Sequence, residues 1–120
     1  SGLGWGEAEA RQLKEVLPRF TRLKALDLYH NKLGATGASD IASLLKTMQI
    51  SSLKLSDNCI GGYYDDDGEF VADTEGIIAL CEGLKGSAVT SLDIGYNRIG
   101  DEGASALAAI LKETMISNLN

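Results

Sequence analysis

The sequence is poor in the residues that build stapled or metal-held scaffolds. Its 120 residues include two cysteines, Cys59 and Cys81, and one histidine, His30. A disulfide-rich secreted framework needs more cysteines. A structural zinc site of four cysteines, or of two cysteines and two histidines, needs more ligands. Both cysteines are therefore expected to be small, reduced and buried, with no Cys59–Cys81 bridge. That favours an intracellular setting, cytoplasmic by default. Positive charge is also scarce, with 11 basic against 17 acidic residues and a net charge of −6. A binder of phosphate backbones needs clustered positive charge, so no nucleic-acid partner is expected. Long apolar runs are missing, and no segment can span a bilayer. Residues 1–20 lack the basic start and apolar block of a signal peptide.

What remains is ordinary: 44% apolar and 23% charged residues, the composition of a globular chain long enough for one core. Within it, the sequence repeats. Leu23-Lys24-Ala25-Leu26-Asp27-Leu28-Tyr29-His30-Asn31-Lys32-Leu33-Gly34 is one copy. Ile50 to Gly61 is the next, Val89 to Gly100 the third, and Ile116 to Asn120 begins a fourth. The starts at 23, 50, 89 and 116 are separated by 27, 39 and 27 residues, a period of 27 with one insertion of 12.

Each copy has the same physical grammar. Its last two apolar strand positions alternate, so they share one side of a strand. The asparagine three residues later can bond backbone groups of the adjacent turn. Paired glycines follow (Gly34 with Gly37, Gly100 with Gly103, and Gly61 with Gly76 across the insertion) and suit a bend between turn and helix. Apolar residues at helical spacing come next: Ile41, Leu44, Leu45 and Met48; Ile77, Leu80, Cys81 and Leu84; Leu107, Ile110 and Leu111. Thr36, Thr74 and Asp101 are the expected N-caps. Leu13, Val16, Leu17 and Phe20 form a similar stripe, so residues 7–20 are expected to be a helix with an irregular last turn at Pro18.

Three copies of [LIV]-x-x-L-x-[LI]-x-x-N-x-[LI]-G in register, each followed by an apolar helix, resemble the leucine-rich repeat family. The resemblance covers residues 7–120 apart from the insertion and is to the long-repeat, ribonuclease-inhibitor-like class, which is shared with the Ran GTPase-activating protein and NOD-like receptors. It implies an α/β solenoid, a partial right-handed β/α horseshoe with parallel strands on the concave face and helices on the convex face. Residues 1–120 are expected to be a single domain. Because the fourth copy stops within a unit, the chain is expected to be a fragment of a longer array.

If Leu26 and Leu28 point inward, their neighbours face a partner. The concave candidates are Asp27, Tyr29 and His30 in the first copy, Lys54, Ser56 and Asp57 in the second, and Asp93 and Tyr96 in the third. Tyr29 and Tyr96 are the large aromatic residues among them, and aromatic residues commonly anchor interfaces. The insertion fits residues 62–73, in the strand-to-helix connection on the rim. Tyr63, Tyr64 and Phe70 supply anchors there, and Asp65, Asp66, Asp67 and Glu69 would steer a basic partner. Without residues 62–73, which hold five acids and no base, 12 acidic residues would face 11 basic ones, a net charge of −1.

No catalytic constellation is present. His30 has Asp27 three residues before it but no marked nucleophile, and no phosphate-binding loop occurs. No cofactor or metal is expected, since the EF-hand spacing fails. The expected function is a non-catalytic scaffold that binds a protein partner through the concave face and the acidic rim loop, as part of a multi-subunit assembly. Two alternatives are a GTPase regulator of the Ran-activating type, which the resemblance suggests, and a calcium-responsive module built on the 62–73 acids.

Overall fold

The computed structural model describes residues 6–120; the first five residues of the expected 1–120 domain lie outside the described residues. Strands β1 (Ala25–Asp27), β2 (Ser52–Lys54), β5 (Ser91–Asp93) and β6 (Asn118–Leu119) form one parallel sheet in the order β1-β2-β5-β6. The register follows the sequence period, with Ala25 opposite Ser52, Ser52 opposite Ser91, and Ser91 opposite Asn118. Backbone bonds extend the ladder past the short strands, as from Leu28 N–H to Lys54 O at 2.8 Å and from His30 N–H to Ser56 O at 3.0 Å. A parallel sheet layered against helices makes this an α/β fold, and it fits the fold expected of leucine-rich repeats.

Helices α1 (Glu7–Val16), α2 (Gly34–Leu45), α3 (Glu75–Leu84) and α4 (Gly100–Ile110) cover one face of the sheet. The core lies between the layers. Leu28, Leu53, Leu55, Leu92 and Ile94 enter it from the sheet, and Ile41, Leu44, Ile77, Leu80, Leu84 and Leu107 from the helices. Leu53 and Leu55 are fully buried and Leu26 is half-buried, as strand alternation requires. α2 and α3 touch backbone to backbone: a Cβ on Gly76 would lie 2.6 Å from Ala35 Cα, and one on Gly83 would lie 2.6 Å from Ala42 O. These glycines are seven residues apart, and so are the alanines, so each pair meets two turns along the same helix face.

Two buried asparagines, Asn58 and Asn97, tie the repeats together, and a third, Asn31, holds the turn of its own repeat. Asn58 Nδ2 donates to Leu28 O of the preceding repeat at 2.7 Å and to Leu55 O of its own at 3.1 Å. Asn97 Nδ2 does the same with Leu55 O at 2.8 Å and Ile94 O at 2.9 Å. Asn97 Oδ1 accepts from Asn58 N–H at 2.8 Å and Ile60 N–H at 3.2 Å. Asn31 Nδ2 donates to Leu28 O at 2.9 Å. In Asn58 and Asn97 the amide reaches both its own turn and the preceding repeat, so it satisfies backbone groups that burial would otherwise orphan.

Four local expectations need correction. Thr36 and Asp101 are not N-caps, because α2 and α4 begin on Gly34 and Gly100 and carry both residues inside their first turns. Thr74 stands at the N-cap of α3 without a side-chain cap bond; Asp73 Oδ1 instead accepts from Glu75 N–H at 3.0 Å. Val16 and Phe20 are 44% and 55% exposed, since α1 packs on α2 through Ala10 and Leu13, with Leu17 beneath. Cys59 is exposed rather than buried, because it sits in the turn at positive φ while Ile60 takes the core position. Pro18 does end α1 in a short 3-10 turn, Leu17–Arg19.

Candidate interaction site

The sheet face away from the helices carries the residues of the three copies in rows. One row is Asp27, Lys54 and Asp93, in register across β1, β2 and β5. A row beyond it holds Tyr29 and Ser56, with Gly95 at the third position. The chain then enters the left-handed region at the same place in every copy, at His30 (φ 57°), Asp57 (φ 58°) and Tyr96 (φ 54°). This repeated turn carries those side chains along the sheet rim. A cleft of about 270 Å³ lies among Asp27, Tyr29, Lys54, Ser56, Asp93, Gly95, Tyr96 and Asn120.

The strand-end carboxylates are held in one way. Asp27 Oδ1 accepts from Tyr29 N–H at 3.0 Å, and Asp93 Oδ1 accepts from Gly95 N–H at 3.1 Å. Each carboxylate thus braces the turn that follows it and keeps its second oxygen on the open face. Tyr29 is 48% and Tyr96 87% exposed. Ser56, expected to face a partner freely, is buried with 5% exposure and forms the floor of the cleft. His30 Nδ1 hydrogen-bonds Asp57 Oδ2 of the next repeat. Asp27, the acid near His30 in sequence, is committed to the Tyr29 amide instead. Tyr29 and His30 also approach as a tilted ring pair at 5.8 Å.

The insertion is an antiparallel hairpin. β3 (Gly62–Tyr64) pairs with β4 (Phe70–Ala72), with Tyr63 opposite Val71 and Tyr64 opposite Phe70. Asp65 closes its turn: Oδ1 accepts from Asp67 N–H at 3.0 Å and Glu69 N–H at 2.9 Å, and its carbonyl accepts from Gly68 N–H at 2.9 Å. Tyr64 and Phe70 meet edge to face at 5.5 Å. The Arg98 guanidinium lies 4.9 Å from the Tyr64 ring centre and 5.9 Å from that of Phe70. Arg98 thereby latches the hairpin to the third repeat by cation–π attraction. Tyr63 is on the other side, in a cleft with Lys32, Thr36, Cys59 and Asp73. Tyr63 and Tyr64 are each 53% exposed and Phe70 is 40% exposed.

The sequence candidates therefore fall into two groups, the sheet face and the hairpin. They adjoin at a third cleft, formed by Asp57, Cys59, Tyr64, Tyr96, Asn97 and Arg98. Arg98 went unnoticed in the sequence because nothing in its own repeat marks it; its function depends on the insertion reaching over from the preceding one. The calcium alternative meets an obstacle in the hairpin's own chemistry. Asp65 and Asp73 each have one carboxylate oxygen engaged by backbone amides. Among the described residues, no group of three or more histidine, cysteine or acidic side chains is placed to hold a metal ion. Also among the described residues, no helix is long and apolar enough to cross a membrane.

Both cysteines are free. Burial, reinforced by the negative charge of Glu82, pushes the Cys81 thiol above its ordinary value.

The family model for "Leucine Rich repeat" matches residues 21–42 and 88–108. These segments contain β1 with the start of α2, and β5 with most of α4. The two matched segments support a leucine-rich repeat protein. Such domains generally mediate protein–protein interaction and are typically non-catalytic.

Proposed function

We propose that the protein is a non-catalytic interaction scaffold of the ribonuclease-inhibitor-like class, a right-handed β/α horseshoe. It binds a protein partner through the open sheet face and the acidic rim hairpin, as a subunit of a larger assembly. The observation that carries this reading is the placement of Tyr29 and Tyr96 on either side of a charged cleft, on a face that no helix covers among the described residues. Exposed aromatic side chains held on rigid elements lose little entropy when a partner covers them. The hairpin adds Asp66, Asp67 and Glu69, exposed at its tip, and these favour a basic partner by steering.

The test uses three variants, Tyr29→Ala, Tyr96→Ala and the double change Tyr63→Ala with Tyr64→Ala. Partners captured from native extract by the unaltered protein are identified and their recovery is compared. Selective loss of the same partners from the variants supports the reading. An unchanged partner set sinks it. Co-purification at fixed stoichiometry separates a stable subunit from a transient adaptor.

A further inference from the structure

We propose that the Asp27–Lys54–Asp93 row recognises an α-helix of the partner, laid across the strands, which presents basic, acidic and basic side chains on successive turns. The inference rests on the open face being the interaction surface and specifies what it accepts.

Three observations carry it. First, the row alternates in sign, and register places its members on three neighbouring strands. Second, among the described residues no ion pair joins any of the three to one another or to another side chain. Each acid is braced by one oxygen against a backbone amide, and the Lys54 side chain is left exposed. The alternating charge is thus fixed in position and, among the described residues, unsatisfied. Third, the spacing discriminates between partner conformations. Neighbouring strands lie about 4.8 Å apart. A helix advances about 5.4 Å per turn, so side chains at i, i+4 and i+7 meet three successive strands within about 1 Å over the row. Same-side residues of an extended peptide are about 6.7 Å apart and overshoot the second strand. Tyr29 and Tyr96 then lie along one side of the helix, beside Ser56 and Gly95 in the next row.

Two alanine-based helical peptides of identical composition serve as probes. One carries lysine, glutamate and lysine at i, i+4 and i+7. The other carries glutamate, lysine and lysine at those positions, so the net charges are equal and only the order differs. Binding is read by fluorescence anisotropy at low ionic strength, where surface charges are least screened. The alternating peptide should bind about three- to tenfold more tightly, as several surface pairs acting together would allow. Lys54→Glu, at an exposed side chain outside the core, makes the row uniformly acidic and should abolish that preference. Equal affinities for the unaltered protein, a preference that survives Lys54→Glu, or no binding of either peptide overturns the proposal. The double variant Tyr29→Ala with Tyr96→Ala separates the two levels of failure. If both peptides bind equally and both weaken in that variant, the face is an interface and the charge row does not select. If both peptides bind equally and the variant changes nothing, the face itself is refuted as a site for helices.

Discussion

Replacing Asn97 with alanine removes one side chain that serves two repeats at once. Its Oδ1 is the acceptor for Asn58 N–H and Ile60 N–H, and its Nδ2 donates to Leu55 O and Ile94 O. Asn97 is 2% exposed and Asn58 and Ile60 are fully buried, so water cannot easily take over. Each orphaned buried amide costs roughly 1–3 kcal/mol, giving an expected loss of about 2–6 kcal/mol for the two. A domain of this kind has about 5–15 kcal/mol in total, so the loss is a large fraction of it. Urea unfolding followed by circular dichroism measures it as a drop in midpoint. Asn97→Asp sharpens the test. It keeps an acceptor but sets a carboxylate against the carbonyls of Leu55, Ile94 and Gly95. That environment raises the folded-state pKa of the new acid above its unfolded value, so its stability deficit is smallest at low pH and grows as pH rises through the folded pKa. A loss below about 1 kcal/mol for Asn97→Ala, at unchanged slope, would refute the claim that the asparagines couple the repeats.

Three further outcomes are expected. Gly61→Ala would place a Cβ 2.1 Å from Arg98 O and 2.7 Å from Asn97 O, both backbone atoms; it should cost about 3 kcal/mol or more in urea unfolding, against about 1 kcal/mol for Gly68→Ala at φ 80°, where nothing crowds the site. Equal costs at the two positions would contradict the packing account. Iodoacetamide should label Cys59 in the folded protein and Cys81 only after denaturation, because the Cys81 thiol is buried and shifted upward; peptide mass spectrometry checks this, and prompt labelling of Cys81 would contradict its burial. Deleting residues 62–73 joins Gly61 to Thr74-Glu75-Gly76, restoring the G-x-x-G spacing of the other repeats; the shortened chain should fold with its helices intact and elute earlier from an anion exchanger, and a loss of helical circular dichroism would show that the hairpin is needed for folding.

Much of the fold was legible because a repeated unit writes its register into the chain. The 27- and 39-residue steps are the strand-to-strand offsets themselves, and the buried asparagines follow from the same alignment. Features that cross between repeats were harder to see. The Asp57 partner of His30 lies 27 residues away, one period on, while the nearer Asp27 drew attention by proximity. The hairpin had a local signal that went unused: Asp67-Gly68 between the β-prone Tyr63-Tyr64 and Phe70-Val71. The misplaced caps at Thr36 and Asp101 have one cause. Gly34 and Gly100, at φ 65° and 66°, swing the chain straight into the helix, ahead of the first residue able to cap it. The sheet-face candidates came from alternation alone, which could not tell that Ser56 lies sunk between flanking rows.

The base of the hairpin is closed by the scaffold. Gly61 N–H donates to Asn97 O at 2.8 Å, and Asp73 N–H returns to Gly61 O at 3.0 Å, so the excursion begins and ends at nearly one point. Whatever lies between these anchors adds little closure cost and does not alter the path of the repeat. The protein thus has a ready-made port: a peptide epitope, a reporter loop or a second recognition hairpin with close-set ends could be grafted between Gly61 and Asp73 and displayed beside the sheet face in fixed orientation.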